Sequence, residues 1–134
     1  MVATTRAASK RGRASRAKGG RGEREAAAAL GDVLGRPWRR AVGQSRRGAD
    51  APDVEPDGWS VGVGGSSTPW VEVKRGRATI TAAMSQAVAA CGARLPVVLT
   101  RQDRGEWLVT VRLADLGRLW AWLDAVLEPG PEGE

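Results

Sequence analysis

The sequence predicts an α/β domain in which a mixed β-sheet is flanked by helices. Three observations lead there. Stretches of helical and strand character interleave in the order helix, three strands, helix, two strands, helix. Trp70-Val71-Glu72-Val73-Lys74 alternates apolar and polar side chains, as a strand does. Stripes of apolar residues recur at helical spacing at both ends of the chain and between the third and fourth strands.

The elements follow in order. Residues 1–17 are a low-complexity basic arm, expected to be flexible. A helix is expected from about Gly20 to Leu34, closed by Gly35 and blocked from continuing by Pro37. Trp38 to Val42 reads as a first strand. Residues 43–58 read as a polar loop carrying Arg46, Arg47, Asp50, Asp53, Glu55 and Asp57. Trp59 to Val63 reads as a second strand, and Trp70 to Arg75 as the third. Between them Val63-Gly64-Gly65-Ser66-Ser67-Thr68 is a hairpin turn and not a phosphate loop, because it lacks the lysine and leads into Pro69 and a strand. A helix from about Ile80 to Cys91 sets Ile80, Met84, Ala87, Val88 and Cys91 on one face, with Gly92 as its cap. Leu95 to Arg101 and Trp107 to Leu113 are two further strands around a turn at Asp103-Arg104-Gly105. A last helix from about Asp115 to Leu127 turns Leu116, Leu119, Trp120, Leu123 and Leu127 inward, and residues 129–134 form a frayed tail. Cys91 and most of the six tryptophans are expected in the core.

Composition sets limits on function. The 134 residues suit one domain, and 42% of them are hydrophobic, enough for a core. No apolar run has the length of a membrane span, and the N-terminus lacks the apolar segment of a signal peptide, so a cytoplasmic protein is expected. A single cysteine fits a reducing compartment. Residues 1–24 carry a net charge of +7 and the remainder −1, so the overall +6 belongs to the N-terminal arm. Such an arm on a nearly neutral body points to a polyanionic partner, DNA or RNA. The chain has no His, which rules out the usual zinc sites and Ser-His-Asp or Cys-His hydrolases. Any catalysis then rests on carboxylates, Lys, Arg and a hard metal held by oxygen ligands.

Four residues stand out within those limits. Eighteen Arg accompany only three Lys, and Lys74 is the one lysine outside the basic N-terminal 24 residues. A compact, titratable ammonium suits tasks that guanidinium does poorly, such as holding a water. Strand alternation sets Glu72 and Lys74 on one face, opposite Val71 and Val73. Asp53, in Pro52-Asp53-Val54, is brought beside Glu72 by a hairpin; Asp50, Glu55 and Asp57 are alternatives, and Asp53 is preferred because strand-like sequence follows it. In the first helix Glu23 heads the apolar stripe of Ala27, Leu30 and Leu34, whereas Glu25 and Asp32 fall on the solvated face.

Lys18-Gly19-Gly20-Arg21-Gly22-Glu23-Arg24-Glu25, then Pro52-Asp53-Val54, then Val71-Glu72-Val73-Lys74, resembles the archaeal-type Holliday junction resolvases and their phage-encoded relatives in the PD-(D/E)XK nuclease superfamily. The resemblance spans about Lys18 to Leu113 and defines residues 18–128 as the nuclease domain. It implies a restriction-endonuclease-like sheet and a catalytic set of Glu23, Asp53, Glu72 and Lys74. It also implies Mg²⁺, with Mn²⁺ as a substitute, on Asp53 and Glu72, with Glu23 as a direct or water-mediated ligand. Lys18, Arg21, Arg24, Arg46 and Arg47 are then expected to hold DNA phosphates, and Gln86 to act as a polar helper for the attacking water. The implied activity is symmetric cleavage of four-way DNA junctions by a homodimer. Two other readings stay open: a PD-(D/E)XK repair nuclease acting on flaps or duplex, and a basic nucleic-acid-binding protein without catalysis.

Overall fold

The computed structural model describes residues 20–41, 51–59, 68–76 and 79–127. Its first helix, α1, covers residues 20–34. It stops where expected: Gly35 adopts φ +70° and its N–H donates to the Gly31 carbonyl at 2.9 Å. A positive φ at this position is what glycine supplies at a helix C-terminus. The chain then runs through β1 (Trp38–Arg40), β2 (Val54–Pro56), β3 (Trp70–Arg75), α2 (Ile80–Ala90), β4 (Pro96–Arg101) and β5 (Leu108–Thr110). A 3₁₀ turn, Leu113–Asp115, leads into α3 (Leu116–Leu127).

The five strands form one mixed sheet in sequence order. β1–β2, β2–β3 and β4–β5 are antiparallel, while β3 and β4 run parallel with α2 as the crossover. Alternation along β3 divides the interior. Val71 and Val73 join Ala26 and Ala27 of α1 and Trp122 and Val126 of α3 in the main core. Trp70, on the other face, packs with Ala87 and Cys91 from α2 and its end. The sheet therefore has α1 and α3 on one side and α2 on the other. Among the described residues no helix is long and apolar enough to cross a membrane.

Several sequence expectations need correction. A strand the sequence did not announce, Val54–Pro56, lies inside the stretch read as loop. Its three residues carry Glu55, whose carboxylate meets Arg39 across the ladder at 3.3 Å, so composition disguises it as polar loop. Trp59 follows as irregular chain and sets its ring edge-on to Trp38, with centroids 5.6 Å apart; residues 60–63 lie outside the described residues. In α3 the inward side chains are Leu119, Trp122, Leu123 and Val126, while Leu116, Leu127 and Trp120 (69% exposed) face out. That helix is apolar around most of its circumference, so periodicity leaves its rotation open; the edge contact of Trp122 with Trp38, 6.1 Å between centroids, selects one. In α2 the buried residues are Ala83 and Ala87, continued by Cys91 beyond its end, with Ile80 and Val88 exposed. Small residues let that helix lie close to the sheet.

Candidate active site

Asp53 is held in place by backbone before its side chain does anything. Its N–H donates to the Val71 carbonyl at 2.8 Å, and its own carbonyl accepts from the Ala41 N–H at 3.1 Å. The residue is thus clamped between the β1 side and β3 at the mouth of β2. Its carboxylate Oδ2 accepts the Val73 N–H at 2.7 Å, and the residue is only 6% exposed. Val54, next in sequence, points to the opposite side, into the main core.

Glu72 lies on β3 with the same exposure, 6%. Its Oε1 accepts the indole N–H of Trp70 at 2.9 Å. Burial pushes its carboxyl up to about 7 from an ordinary 4.5; the charge of Asp53 and a hydrogen bond to it raise it further, against the Trp70 N–H and the Lys74 ammonium. A protonated Glu72 donating to Asp53 is the arrangement two buried carboxyls adopt when no cation separates them.

Glu23 comes from the first turns of α1. Its side chain is 13% exposed, and Arg40 Nε donates to its Oε2 at 2.5 Å. Burial raises its carboxyl above 4.5, and Asp53 adds to that, while Arg40 and Arg24 oppose it. The field of Asp53 thus reaches both Glu23 and Glu72. Lys74 is half-buried two residues beyond Glu72. Asp53 thus lies in electrostatic reach of Glu23 from α1 and of Glu72 from β3, and Lys74 in reach of Glu72, around the β2–β3 junction.

The donor set fits a hard divalent cation. Asp53 and Glu72 offer adjacent carboxylate oxygens in a buried place where two negative charges are otherwise costly. Among the described residues no three or more His, Cys, Asp or Glu side chains form a ready metal cage. Glu23, engaged with Arg40, is accordingly better suited to a water-mediated contact than to direct ligation. Mg²⁺ commonly takes one or two carboxylates and keeps several waters, so a pair suffices.

The remaining expected site residues divide. Arg21 and Arg24 are exposed on α1, open to a polyanion. Lys18, Arg46 and Arg47 lie outside the described residues. Gln86 is exposed on α2, off the buried Ala83–Ala87 stripe. Glu25 is not a solvated bystander. Its two oxygens accept from Arg75 Nη1 at 3.2 Å and Arg101 Nη1 at 3.4 Å, and these arginines are register partners at the ends of β3 and β4. It fastens α1 to the parallel strand pair.

Two residues escaped the sequence reading. Arg40 gave no local signal, because its bond to Glu23 depends on how β1 passes α1. Trp70 did give one: it precedes Glu72 by two residues on a strand, hence on the same face. The chain matches no family model, no curated protein and no solved structure.

Proposed function

We propose that this protein is a metal-dependent DNA nuclease with Glu23, Asp53, Glu72 and Lys74 as its active site, acting on branched DNA and most readily on four-way junctions. The observation that carries the reading is the buried Asp53–Glu72 pair with Lys74 beside it. A structural ion pair would need neither the second carboxylate nor its burial. The element order, with an antiparallel β1–β2–β3 unit followed by the parallel β3–α2–β4 crossover, supports a restriction-endonuclease-like fold.

Asp53 and Glu72 would hold Mg²⁺, or Mn²⁺ in its place, and Glu23 would orient one of the ion's waters. The bound ion supplies Lewis-acid stabilisation of charge developing on the phosphate and leaving oxygen. Lys74 holds the attacking water by a charge-assisted hydrogen bond and offsets the negative charge gathered around it. Val73, through its backbone N–H, keeps the Asp53 carboxylate from rotating away. Arg21 and Arg24, together with Lys18, Arg46 and Arg47, neutralise flanking phosphates.

A junction presents two equivalent strands, which suits a homodimer. Exposed Leu113, Leu116, Trp120 and Leu127, along α3 and the turn leading into it, supply apolar surface for one. The test is incubation of the purified chain with labelled four-way junction, flap and duplex, with and without Mg²⁺. Paired, Mg²⁺-dependent nicks in the junction support the reading. Cleavage of flap or duplex alone moves it to a repair nuclease, and binding without nicks in any substrate overturns catalysis.

A further inference from the structure

The buried face of β3 carries one donor–acceptor pair that neither the ladder nor the core requires. Trp70 Nε1 donates to Glu72 Oε1 at 2.9 Å. The indole is itself immobilised. Its ring packs against Ala87 and Cys91, and the Arg94 guanidinium covers it at 5.3 Å from the centroid. Arg94 in turn donates to the carbonyls of Thr68 at 2.6 Å and Pro69 at 3.1 Å, just before the strand. A chain of contacts from Arg94 through Trp70 thus ends on one oxygen of a carboxylate proposed to bind metal. Packing alone does not demand it: the buried indole N–H groups of Trp38 and Trp122 have no partner among the described residues.

We propose that Trp70 is a positioning residue that commits Glu72 Oε1 to its indole, leaves the carboxylate to bind a cation through one oxygen, and so favours Mg²⁺ over Ca²⁺. The inference rests on the metal-site reading above. A freely rotating glutamate chelates a large ion with both oxygens, as Ca²⁺ prefers; Mg²⁺ demands a compact octahedron with single-oxygen donors and water. An N–H donor also matches the ionised carboxylate that a cation requires. Groups that orient a metal ligand typically contribute roughly 10- to 100-fold to affinity.

The test uses the full chain without DNA. Mg²⁺ and Ca²⁺ are each titrated calorimetrically into the wild type and into Trp70→Phe, which keeps a smaller aromatic ring and removes the N–H. The expected result is about a tenfold loss of Mg²⁺ affinity with a smaller loss, or a gain, for Ca²⁺. Unchanged affinities overturn the proposal, as does an equal loss for both ions, which marks a merely structural role. If Trp70→Phe does not fold, the wild-type indole N–H resonance of Trp70, assigned through its contacts to Ala87 and Cys91, serves instead. Saturating Mg²⁺ should shift it while it stays protected from exchange; an indifferent resonance overturns the proposal. A wild type that binds no Mg²⁺ removes the nuclease reading itself, whereas binding with Trp70→Phe unaltered removes only this inference.

Discussion

Glu72 and Asp53 meet in the interior at the β2–β3 junction, and burial beside that second carboxylate brings Glu72 to about 7. The consequence for stability has a definite sign. In the unfolded chain Glu72 loses its proton near 4.5, and in the native protein only near 7. Between those values the native state holds a proton that the unfolded state has released, so metal-free stability falls as pH rises through that window and stays low above it. The drop is on the order of 3 kcal/mol. Thermal unfolding in a chelator at about pH 5 and about pH 8 should show it, other groups adding their own slopes. Glu72→Gln should melt higher than wild type at the alkaline end and about equally at the acid end. A variant as alkali-sensitive as the wild type would refute the assignment of that loss to Glu72.

The same linkage predicts how metal affinity follows pH. On the proposed metal site a cation would displace the proton of Glu72, so Mg²⁺ should bind more tightly as pH rises toward and past about 7 and should release a proton on binding below it. Calorimetry in two buffers of different ionisation enthalpy measures that proton directly. Binding with no proton release at about pH 6 would mean that the ion sits elsewhere.

Lys74→Ala should reduce single-turnover cleavage by roughly 10²-fold or more while leaving junction affinity nearly intact. Lys74→Arg should rescue little, because a planar guanidinium presents its donors differently and does not replace a compact ammonium over one water. Gel-shift and cleavage assays on the same junction separate the two quantities. Cleavage by either variant at the wild-type rate would remove Lys74 from the active site.

Glu23 and Glu25 differ by two residues and should fail in different ways. Glu23 sits beside Asp53 with Arg40 on its outer oxygen, whereas Glu25 ties α1 to Arg75 and Arg101. Glu23→Gln should slow turnover about tenfold or more with little change in melting temperature. Glu25→Gln should keep its turnover and lose under about 1 kcal/mol of stability, since that carboxylate is more than a third exposed and its ion pairs are screened. Equal turnover of the two variants in Mg²⁺ would contradict the division of roles.

How far the sequence could be read depended on whether a signal was local. Gly35 and Pro37 ended α1 as expected, because helix termination is decided within a few residues. The two faces of β3 followed from alternation alone and brought Glu72 and Lys74 to one side. The position of β2 did not: three residues with a cross-strand Arg39–Glu55 pair carry no apolar alternation to recognise. The role of Glu25 was hidden because helix periodicity identifies the outward face of α1 but not that Arg75 and Arg101, from neighbouring strand ends, stand over it. Arg40 was hidden for the same reason. Tertiary approach, not composition, decides both.

The arm should govern affinity without governing chemistry. Residues 1–17 hold Arg6, Lys10, Arg11, Arg13 and Arg16 and no acid, so on the proposed function they would bring charge to DNA of any shape. Each phosphate they neutralise releases about one counterion. If about three of these five side chains engage phosphates, deleting residues 1–17 should make log affinity less steep against log salt by roughly three. The loss should be similar for junction, flap and duplex, because contacts to phosphate oxygens are available on DNA of every shape. Lys18, Arg21 and the acidic cluster remain, so cleavage at saturating DNA should keep its rate and its sites. Titration of full-length and truncated protein against labelled substrates at several salt concentrations measures all of this together. An unchanged slope would assign phosphate binding to the body of the protein instead, where Arg24, Arg36, Arg39 and Arg40 are exposed around α1 and β1.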